Sequence, residues 1–316
     1  MQNPIGPFLQ DQGSLIIDGG FATELEARGF DLSDALWSAR LLHDAPRAIK
    51  DVHLDYMAAG ADCIISASYQ ATIRGFVRQG FDEPQAADLL KKSVGIAKEA
   101  RDDFWSQPAN RAGRLRPLVA ASVGPYGAFL ADGSEYRGDY DLSEDELLAF
   151  HRPRWHLLVG CAPDLMACET IPSAVEARAL ARLLQETPET PAWISFSCRD
   201  ERHISDGALL ADVVALLDEI PQIVALGVNC TAPRFVTQLL QRARRATQKP
   251  LLVYPNSGER YDARRRRWTG LSVPDEFAAQ SRAWRAAGAT LLGGCCRTAP
   301  QHIAQLRSVQ LEAARS

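Results

Sequence analysis

Two adjacent cysteines near the C-terminal end have the most obvious chemical potential in this chain. Cys295 and Cys296 follow two glycines in the segment LLGGCCRTAP, directly after a short apolar run. Adjacent cysteines are poor partners for a disulfide, because their Cβ atoms diverge and a bridge between them needs strained geometry. Both can instead bind one metal ion from a turn that Gly293 and Gly294 loosen. A third thiol, Cys230, ends another apolar run, IVALGVNC.

Polar side chains stand at the ends of most other short apolar runs as well. Asp18 ends SLIID and Glu169 ends DLMACE. In barrels of parallel strands the catalytic groups come from the C-terminal ends of the strands. If each run is a strand, that rim carries Asp18, Gly19, Gly20, Ser66, Ser68, Tyr69, Gln70, Ser122, Gly124, Glu169, Thr170, Ser197, Cys198, Asn229, Cys230, Tyr254, Asn256, Cys295 and Cys296.

Eight such runs occur, each followed by sequence with a helical pattern: SLIID, DCIISASY, PLVAASVG, DLMACE, AWISFSC, IVALGVNC, PLLVYPN and ATLLGGCC. Their apolar composition is typical of strands buried on both faces of a parallel sheet. Eight strand–helix units predict an α/β fold, a single (β/α)8 TIM-type barrel, in one domain over residues 1–316. A doubly wound open sheet is the alternative. It is less favoured because DGGFATEL, after the first run, is not a G-x-G-x-x-G dinucleotide fingerprint.

Helix boundaries can be predicted from capping residues. Ser143 and Glu146 have the spacing of a capping box, and Pro153 is expected to end or kink the helix that they begin. Asp206 and Thr231 are the expected N-caps of two later helices. The segment from about residue 127 to residue 142 is expected to be a loop or an insertion.

Composition limits the possible partners and the compartment. The 316 residues carry a formal net charge of −4, which gives no electrostatic footprint for nucleic acid or an anionic membrane. The arginine run in DARRRRWTG is therefore interpreted as a solvated loop. No secretion signal and no membrane span are recognised. Seven cysteines, an odd number in a long chain, favour a reducing cytoplasm in which thiols stay unpaired.

In a barrel, Cys230 would reach the same rim as Cys295 and Cys296, with one strand between them. Three thiols with one open coordination position are the arrangement of a catalytic zinc. A single cysteine at a strand end is more often a small buried apolar residue. We therefore interpret Cys63, Cys161, Cys168 and Cys198 as structural.

Seven motifs occur in order along the chain: DGGFATEL, LWSA, SYQATIRGF, ETIPSAVEA, GVNC, YPNSGE and GGCC. Together they resemble the zinc-dependent homocysteine S-methyltransferase family, in its branch that uses S-methylmethionine or S-adenosylmethionine. The resemblance implies a (β/α)8 barrel with Zn²⁺ on Cys230, Cys295 and Cys296. It also implies that Asp18 and Glu169 hold the amino group of homocysteine, with backbone amides around Gly19 and Gly20 near its carboxylate. Asn229, within GVNC, is added as an expected substrate-binding residue.

The implied reaction is methyl transfer to the thiolate of homocysteine, which forms methionine. The betaine-using branch has Glu-Tyr where this chain has Glu169-Thr170, which argues against betaine as donor. A zinc centre with three cysteine thiolates and a substrate thiolate has a formal charge of −2, which favours a cationic sulfonium donor. Trp37 is the first candidate for cation–π contact with the sulfonium, followed by Phe21 and Tyr69. The smaller donor, S-methylmethionine, is slightly favoured.

Other functions remain open on the sequence alone. A zinc hydrolase or deaminase would need a more electrophilic metal with His and Asp ligands, which are missing from these motifs. A non-catalytic zinc store or thiol redox sensor would use the same cysteines. A selenium analogue of homocysteine, or selenocysteine, could replace the sulfur acceptor. The expected partners are small-molecule substrates only, and the sequence carries no signal for an oligomeric state.

Overall fold

Eight parallel strands form a barrel in this computed structural model, which describes residues 2–32, 37–262, 267–269 and 272–314. The barrel strands are β1 (Leu15–Ile16), β2 (Cys63–Ile65), β3 (Leu118–Val123), β4 (Leu165–Ile171), β5 (Ala192–Phe196), β6 (Ile223–Asn229), β7 (Leu251–Tyr254) and β8 (Ala289–Leu292). Each strand from β2 to β8 pairs with its neighbour in chain order, and β8 pairs with β1. A bridge between Ile17 and Cys63 joins β1 to β2. The predicted (β/α)8 barrel is thus confirmed, and the open sheet is excluded.

Helices surround the barrel and connect its strands. They are α1 (Gly6–Gln12), α2 (Phe21–Ala27), α3 (Trp37–Asp44), α4 (Pro46–Ala58), α5 (Ile73–Arg78), α6 (Glu83–Ser106), α7 (Tyr126–Leu130), α8 (Glu144–Gly160), α9 (Ala174–Glu186), α10 (Leu210–Asp218), α11 (Pro233–Ala246), α12 (Pro274–Ala286) and α13 (Pro300–Ala314). Two 3₁₀ turns cover Pro108–Arg111 and Ser134–Tyr136. None of the helices in the described part of the chain is long and apolar enough to cross a membrane.

Apolar side chains fill the barrel from within and cover it from outside. The inner cluster includes Leu15, Leu118, Leu165 and Leu291, and α1 adds Phe8 to it. The outer cluster lies between the strands and the helices. Since strand residues alternate between these two layers, both faces of each strand are buried. The packed interior leaves the strand ends as the place for a site.

The helix boundaries agree with the prediction only in part. Ser143 and Glu146 form the expected capping box at the start of α8. The expectation that Pro153 could end the helix was wrong, because α8 continues to Gly160 with the proline inside it. Burial of Trp155 and Leu158 beyond the proline offsets the hydrogen bond that proline cannot donate.

The predicted caps Asp206 and Thr231 were also wrong. The N-caps of α10 and α11 are Leu209 and Ala232. The Asp206 carboxylate instead accepts hydrogen bonds from the amides of Ala174 and Ala208. Both side chains meet partners from other parts of the fold, which local spacing does not reveal.

Two segments that were expected to be loops contain short regular elements. The segment after β3 folds into α7 and the turn Ser134–Tyr136. The arginine run is flanked by two short antiparallel strands, Arg260–Asp262 and Arg267–Thr269. Residues 263–266 of the run lie outside the described residues.

Candidate metal and substrate site

A cavity of about 270 Å³ opens at the C-terminal ends of the strands. The residues that line it are Asp18, Gly19, Gly20, Phe21, Ala22, Thr23, Glu26, Ile65, Ser66, Ala67, Tyr69, Gln70, Glu135, Tyr136, Glu169, Thr170, Cys230, Tyr254, Gly294, Cys295, Cys296 and Arg297. This is the end of a (β/α)8 barrel at which active sites lie.

Three thiols converge at this cavity. Cys230 follows β6, while Cys295 and Cys296 follow β8, and their Sγ atoms all lie within 4.8 Å of one another. Among the described residues they form the one group of His, Cys, Asp or Glu side chains close enough to share a metal ion. The Sγ atoms of Cys230 and Cys296 are 3.7 Å apart. Tetrahedral zinc with Zn–S bonds of about 2.3 Å holds its sulfurs about 3.8 Å apart, so this separation fits a metal.

Cys230 and Cys295 form a disulfide in the structure, with Cα atoms 5.5 Å apart. The amino-acid pattern led us to expect unpaired thiols at this rim, so this bond is a difference from that expectation. The disulfide and a metal exclude each other, because only thiolates bind the metal. Cys63, Cys161, Cys168 and Cys198 remain unpaired and lie outside the metal group, as expected.

The turn that carries Cys295 and Cys296 packs tightly against the end of β1. The amide of Gly294 donates to the Asp18 carbonyl at 3.0 Å, and the amide of Cys295 donates to the Pro255 carbonyl at 2.8 Å. A Cβ atom at Gly20 would overlap the carbonyl oxygen of Cys295, so the close approach requires glycine there. Cys230 has φ +46°, in the left-handed region, which is uncommon for a residue with a side chain.

The predicted acidic residues lie together in the cavity wall. Asp18 accepts a hydrogen bond from the Ile65 amide at 2.8 Å, and Glu169 accepts one from the Ser122 hydroxyl. Burial raises the pKa of Glu169 to about 7. Burial also raises the pKa of Asp18 well above its usual value, and the nearby charge of Glu169 adds to this effect. A cation bound between the two carboxylates would stabilise their charged forms and so lower both pKa values.

A β-bulge directs Glu169 into the cavity. The pairing of β4 with β5 shifts register between Cys168 and Ile171, and Thr170 has φ +60°. Bulges of this kind redirect side chains next to active sites. A β-branched residue rarely adopts such a φ, so neighbouring contacts must hold it.

Asn229 supplies those contacts from β6. Its Oδ1 accepts from the Thr170 amide at 2.7 Å and from the Ser195 hydroxyl at 2.8 Å, and its Nδ2 donates to Thr170 Oγ1 at 2.8 Å. Asn229 is fully buried and is not among the residues that line the cavity. The structure therefore places it behind the site, where it holds the bulge, and its contact with substrate stays a prediction.

The remaining predicted residues are placed as follows. Gly19, Gly20, Phe21 and Tyr69 line the cavity. The Gly20 amide donates to the carbonyl and hydroxyl oxygens of Thr298, at 2.9 and 3.0 Å. The side chain of Trp37 lies outside the described residues.

Sequence reasoning missed two residues that reach this cavity from the segment after β3, Glu135 and Tyr136. They are not at a strand end, so the rule that found the other residues does not reach them. Sequence reasoning also gave Gln70 no role, although the Oε1 atom of Gln70 is buried and has no hydrogen-bond partner among the described residues.

Three clustered thiols beside two buried carboxylates at the rim of a (β/α)8 barrel are typical of barrel enzymes with a metal site. Comparison with known proteins specifies the family. The family model for homocysteine S-methyltransferase matches residues 15–309. The chain is 52% identical to Homocysteine S-methyltransferase YbgG of Bacillus subtilis, over 96% of this chain and 96% of that protein. It is also 52% identical to Homocysteine S-methyltransferase of Escherichia coli, over 97% and 98%.

A solved structure, the metallated form of the homocysteine methyltransferase MmuM from Escherichia coli, is 50% identical with a TM-score of 0.87 and covers 97% of this chain and 99% of that one. The oxidized form of MmuM has a TM-score of 0.88. The chain belongs to the homocysteine S-methyltransferase family, as the motifs predicted, and it is a methyltransferase. The hydrolase and the non-catalytic sensor are therefore not retained.

Proposed function

We propose that this enzyme transfers a methyl group from a sulfonium donor to the sulfur of homocysteine, with zinc held by Cys230, Cys295 and Cys296. The observation that carries the proposal is the position of these thiols, beside a cavity that also exposes paired carboxylates. When bound, zinc would keep the homocysteine sulfur as a nucleophilic thiolate. Cytoplasmic location, a single domain and a role in methionine biosynthesis belong to the same proposal.

Asp18 and Glu169 orient the acceptor. In this proposal their carboxylates accept hydrogen bonds from the ammonium group of homocysteine, which turns its thiol toward the three cysteines. The Ser122 hydroxyl and the Ile65 amide fix the two carboxylates before substrate arrives. Charge-assisted hydrogen bonds between fixed groups are the stronger kind, so this contact positions the acceptor as well as binding it.

The charge of the cavity favours a cationic donor. Four carboxylates line it, those of Asp18, Glu26, Glu135 and Glu169. The guanidinium of Arg297 also lines it, but Arg297 pairs with Glu259 at 3.0 Å and with Glu26 at 3.6 Å. The excess of negative charge supports a sulfonium.

Cavity size and one residue type refine the choice of donor. The volume of about 270 Å³ lies below the 300–1,000 Å³ that is usual for small-molecule sites, which supports the smaller donor, S-methylmethionine. Thr170 stands where the betaine-using branch has tyrosine, which argues against betaine.

The test compares donors on reduced, zinc-loaded enzyme. S-Methylmethionine, S-adenosylmethionine and betaine are supplied at equal concentration with homocysteine, and methionine formation is followed by mass spectrometry. We expect S-methylmethionine to react fastest, S-adenosylmethionine to react more slowly and betaine to be inactive. A parallel reaction with selenohomocysteine tests the selenium acceptor. Faster transfer from betaine than from either sulfonium would overturn the proposal, while a preference for S-adenosylmethionine would overturn only the argument from size.

A further inference from the structure

The 3₁₀ turn Ser134–Tyr136 brings two residues to the cavity from the segment that connects β3 to α8. The Ser197 hydroxyl donates to the Glu135 carbonyl at 3.1 Å, and the Ser134 amide donates to Asp132 at 2.9 Å. A Cβ atom at Gly127 would overlap the Glu135 amide nitrogen, so the turn packs directly against the backbone of α7. These contacts fix the turn above the cavity.

Tyr136 extends from this turn to the thiols. Its hydroxyl lies 3.9 Å from the Sγ of Cys230. Because Tyr136 is 45% exposed, its ring borders the open side of the cavity rather than its floor. A donor that delivers a methyl group to a sulfur held at the cysteines would pass this ring. The electron-rich face of tyrosine attracts cations, including sulfonium groups.

Glu135 differs from the other carboxylates of the cavity in having a buried oxygen without a partner. Its Oε2 is shielded from solvent and accepts no hydrogen bond from the described residues. Asp18 and Glu169 accept hydrogen bonds from Ile65 and Ser122, and Glu26 pairs with Arg297. A buried carboxylate oxygen without a partner is costly, and a bound cation would remove that cost.

We propose that Glu135 and Tyr136 form the subsite for the sulfonium group of the methyl donor. This inference rests on the proposed function, which assigns Asp18 and Glu169 to the ammonium group of the acceptor. The sulfonium of the donor and the ammonium group of the acceptor thus bind at separate acidic positions, and the three thiols lie beside both.

The reaction explains why a carboxylate suits this position. A bond forms between the homocysteine sulfur and the methyl carbon, and the bond from that carbon to the donor sulfur breaks. The electron pair stays on the donor sulfur, which becomes a neutral thioether. The attraction of Glu135 therefore acts on the donor and not on its product, so it favours binding of one and release of the other.

The test measures binding and does not depend on turnover. The probes are S-methylmethionine and its neutral isostere 2-amino-5-methylhexanoic acid, in which a CH group replaces the sulfonium sulfur. Both are titrated calorimetrically into reduced, zinc-loaded wild-type enzyme, Glu135→Gln and Asp139→Asn. Asp139 is the matched control, because it is an exposed acid in the same segment and pairs with Arg137.

The wild type and Asp139→Asn should bind the sulfonium more tightly than the isostere, and Glu135→Gln should reduce that preference by about tenfold or more. Tyr136→Leu should reduce it further than Tyr136→Phe, which keeps the aromatic ring. Metal content should stay at the wild-type value in all variants.

Two results would overturn the inference: no preference in the wild type, or an unchanged preference in Glu135→Gln. If that variant binds both probes more weakly by the same factor, Glu135 contacts the ammonium group and not the sulfonium. Failure of the proposed function looks different, because the wild type would then bind the donor without forming methionine.

Discussion

Asp18 is the residue whose proposed role is most easily separated from the metal. We expect Asp18→Asn to weaken homocysteine binding roughly tenfold to a hundredfold, since a hydrogen bond to a charged group contributes about 1.5–3 kcal/mol. Zinc content should not change, because the carboxylate is bonded to the Ile65 amide and lies outside the cysteine group. Calorimetry with homocysteine and elemental analysis check the two parts. Normal homocysteine binding with loss of zinc would instead make Asp18 a support for the metal.

Glu169 should make substrate binding depend on pH near neutrality. Its pKa of about 7 means that the carboxyl is charged above pH 7 and protonated below it. Only the charged form attracts an ammonium group, so binding is strongest at high pH and is lost as pH falls. The probe is methionine, the product of the proposed reaction, because its own groups do not titrate between pH 6 and pH 8. Methionine should bind about tenfold more weakly at pH 6 than at pH 8. The profile should be less steep in Glu169→Gln, in which only the Asp18 carboxyl can still titrate beside the ammonium group, and an equally steep profile in that variant would assign the dependence to another group.

Which residues were predictable depends on how they reach the site. Asp18 and the three cysteines follow barrel strands and Glu169 lies near the end of β4, so the strand pattern alone placed them at one rim. Glu135 and Tyr136 lie on a turn that is held by a hydrogen bond from Ser197, which is distant in sequence. The turn also packs closely against the backbone at Gly127. Local pattern carries no signal for such contacts.

At the scale of elements, strands were easier to predict than the ends of helices. The strand runs are apolar because both of their faces are buried, and that signal survives without tertiary information. Helix ends depend on which polar side chain is nearest in space. Asp206 has the right type for a cap, but in the fold it accepts from Ala174 at the start of α9. The bulge at Thr170 likewise needs Asn229 from another strand.

The segment after β3 is anchored to α8 and α9 by a buried network. Glu176 accepts from the Tyr126 amide at 2.6 Å and from His151 Nε2 at 2.8 Å. Arg154 donates to the Gly124 carbonyl and to His151 Nδ1. Burial lowers the pKa of His151 well below its usual value, so the ring is neutral. This network holds the start of the segment that carries Glu135 and Tyr136.

Removing Glu176 should loosen that segment as well as destabilise the protein. Glu176→Ala leaves the Tyr126 amide and the buried His151 Nε2 without their acceptor, which should lower the free energy of unfolding by about 1–3 kcal/mol for each donor. The KM for the donor should rise more than the KM for homocysteine, because the segment carries the donor subsite. Glu176→Gln keeps an acceptor for the Tyr126 amide and should lie between Ala and wild type. Urea denaturation and steady-state kinetics check this, and equal stability of all three proteins would contradict it.

For the whole molecule, the mild net charge conceals a strongly acidic cavity. The chain carries 35 basic and 39 acidic residues, yet four carboxylates and one paired guanidinium line the site. Charges on the outside of the barrel form ion pairs, for example that of Arg152 with Glu186 at 2.7 Å. Because a cleft with low-dielectric walls concentrates the field of its own charges, the local sign decides which ligands enter.

The barrel itself should not depend on the proposed zinc, so metal binding and folding can be tested separately. All eight strands are joined by backbone pairing, and the thiols lie beyond the strand ends. We expect one zinc per chain in protein purified under reducing conditions. Cys230→Ala and Cys296→Ala should lose both metal and activity while far-ultraviolet circular dichroism stays unchanged. Cys198→Ala is the matched control, because the Cys198 thiol follows β5 but lies outside the cysteine group, and this variant should keep the zinc.

Wild-type protein stripped of metal by a chelator should melt at a lower temperature than the zinc-loaded protein, since a ligand that binds only the folded state stabilises it. Retention of a full equivalent of zinc in both Cys230→Ala and Cys296→Ala would show that the metal, if bound, lies elsewhere.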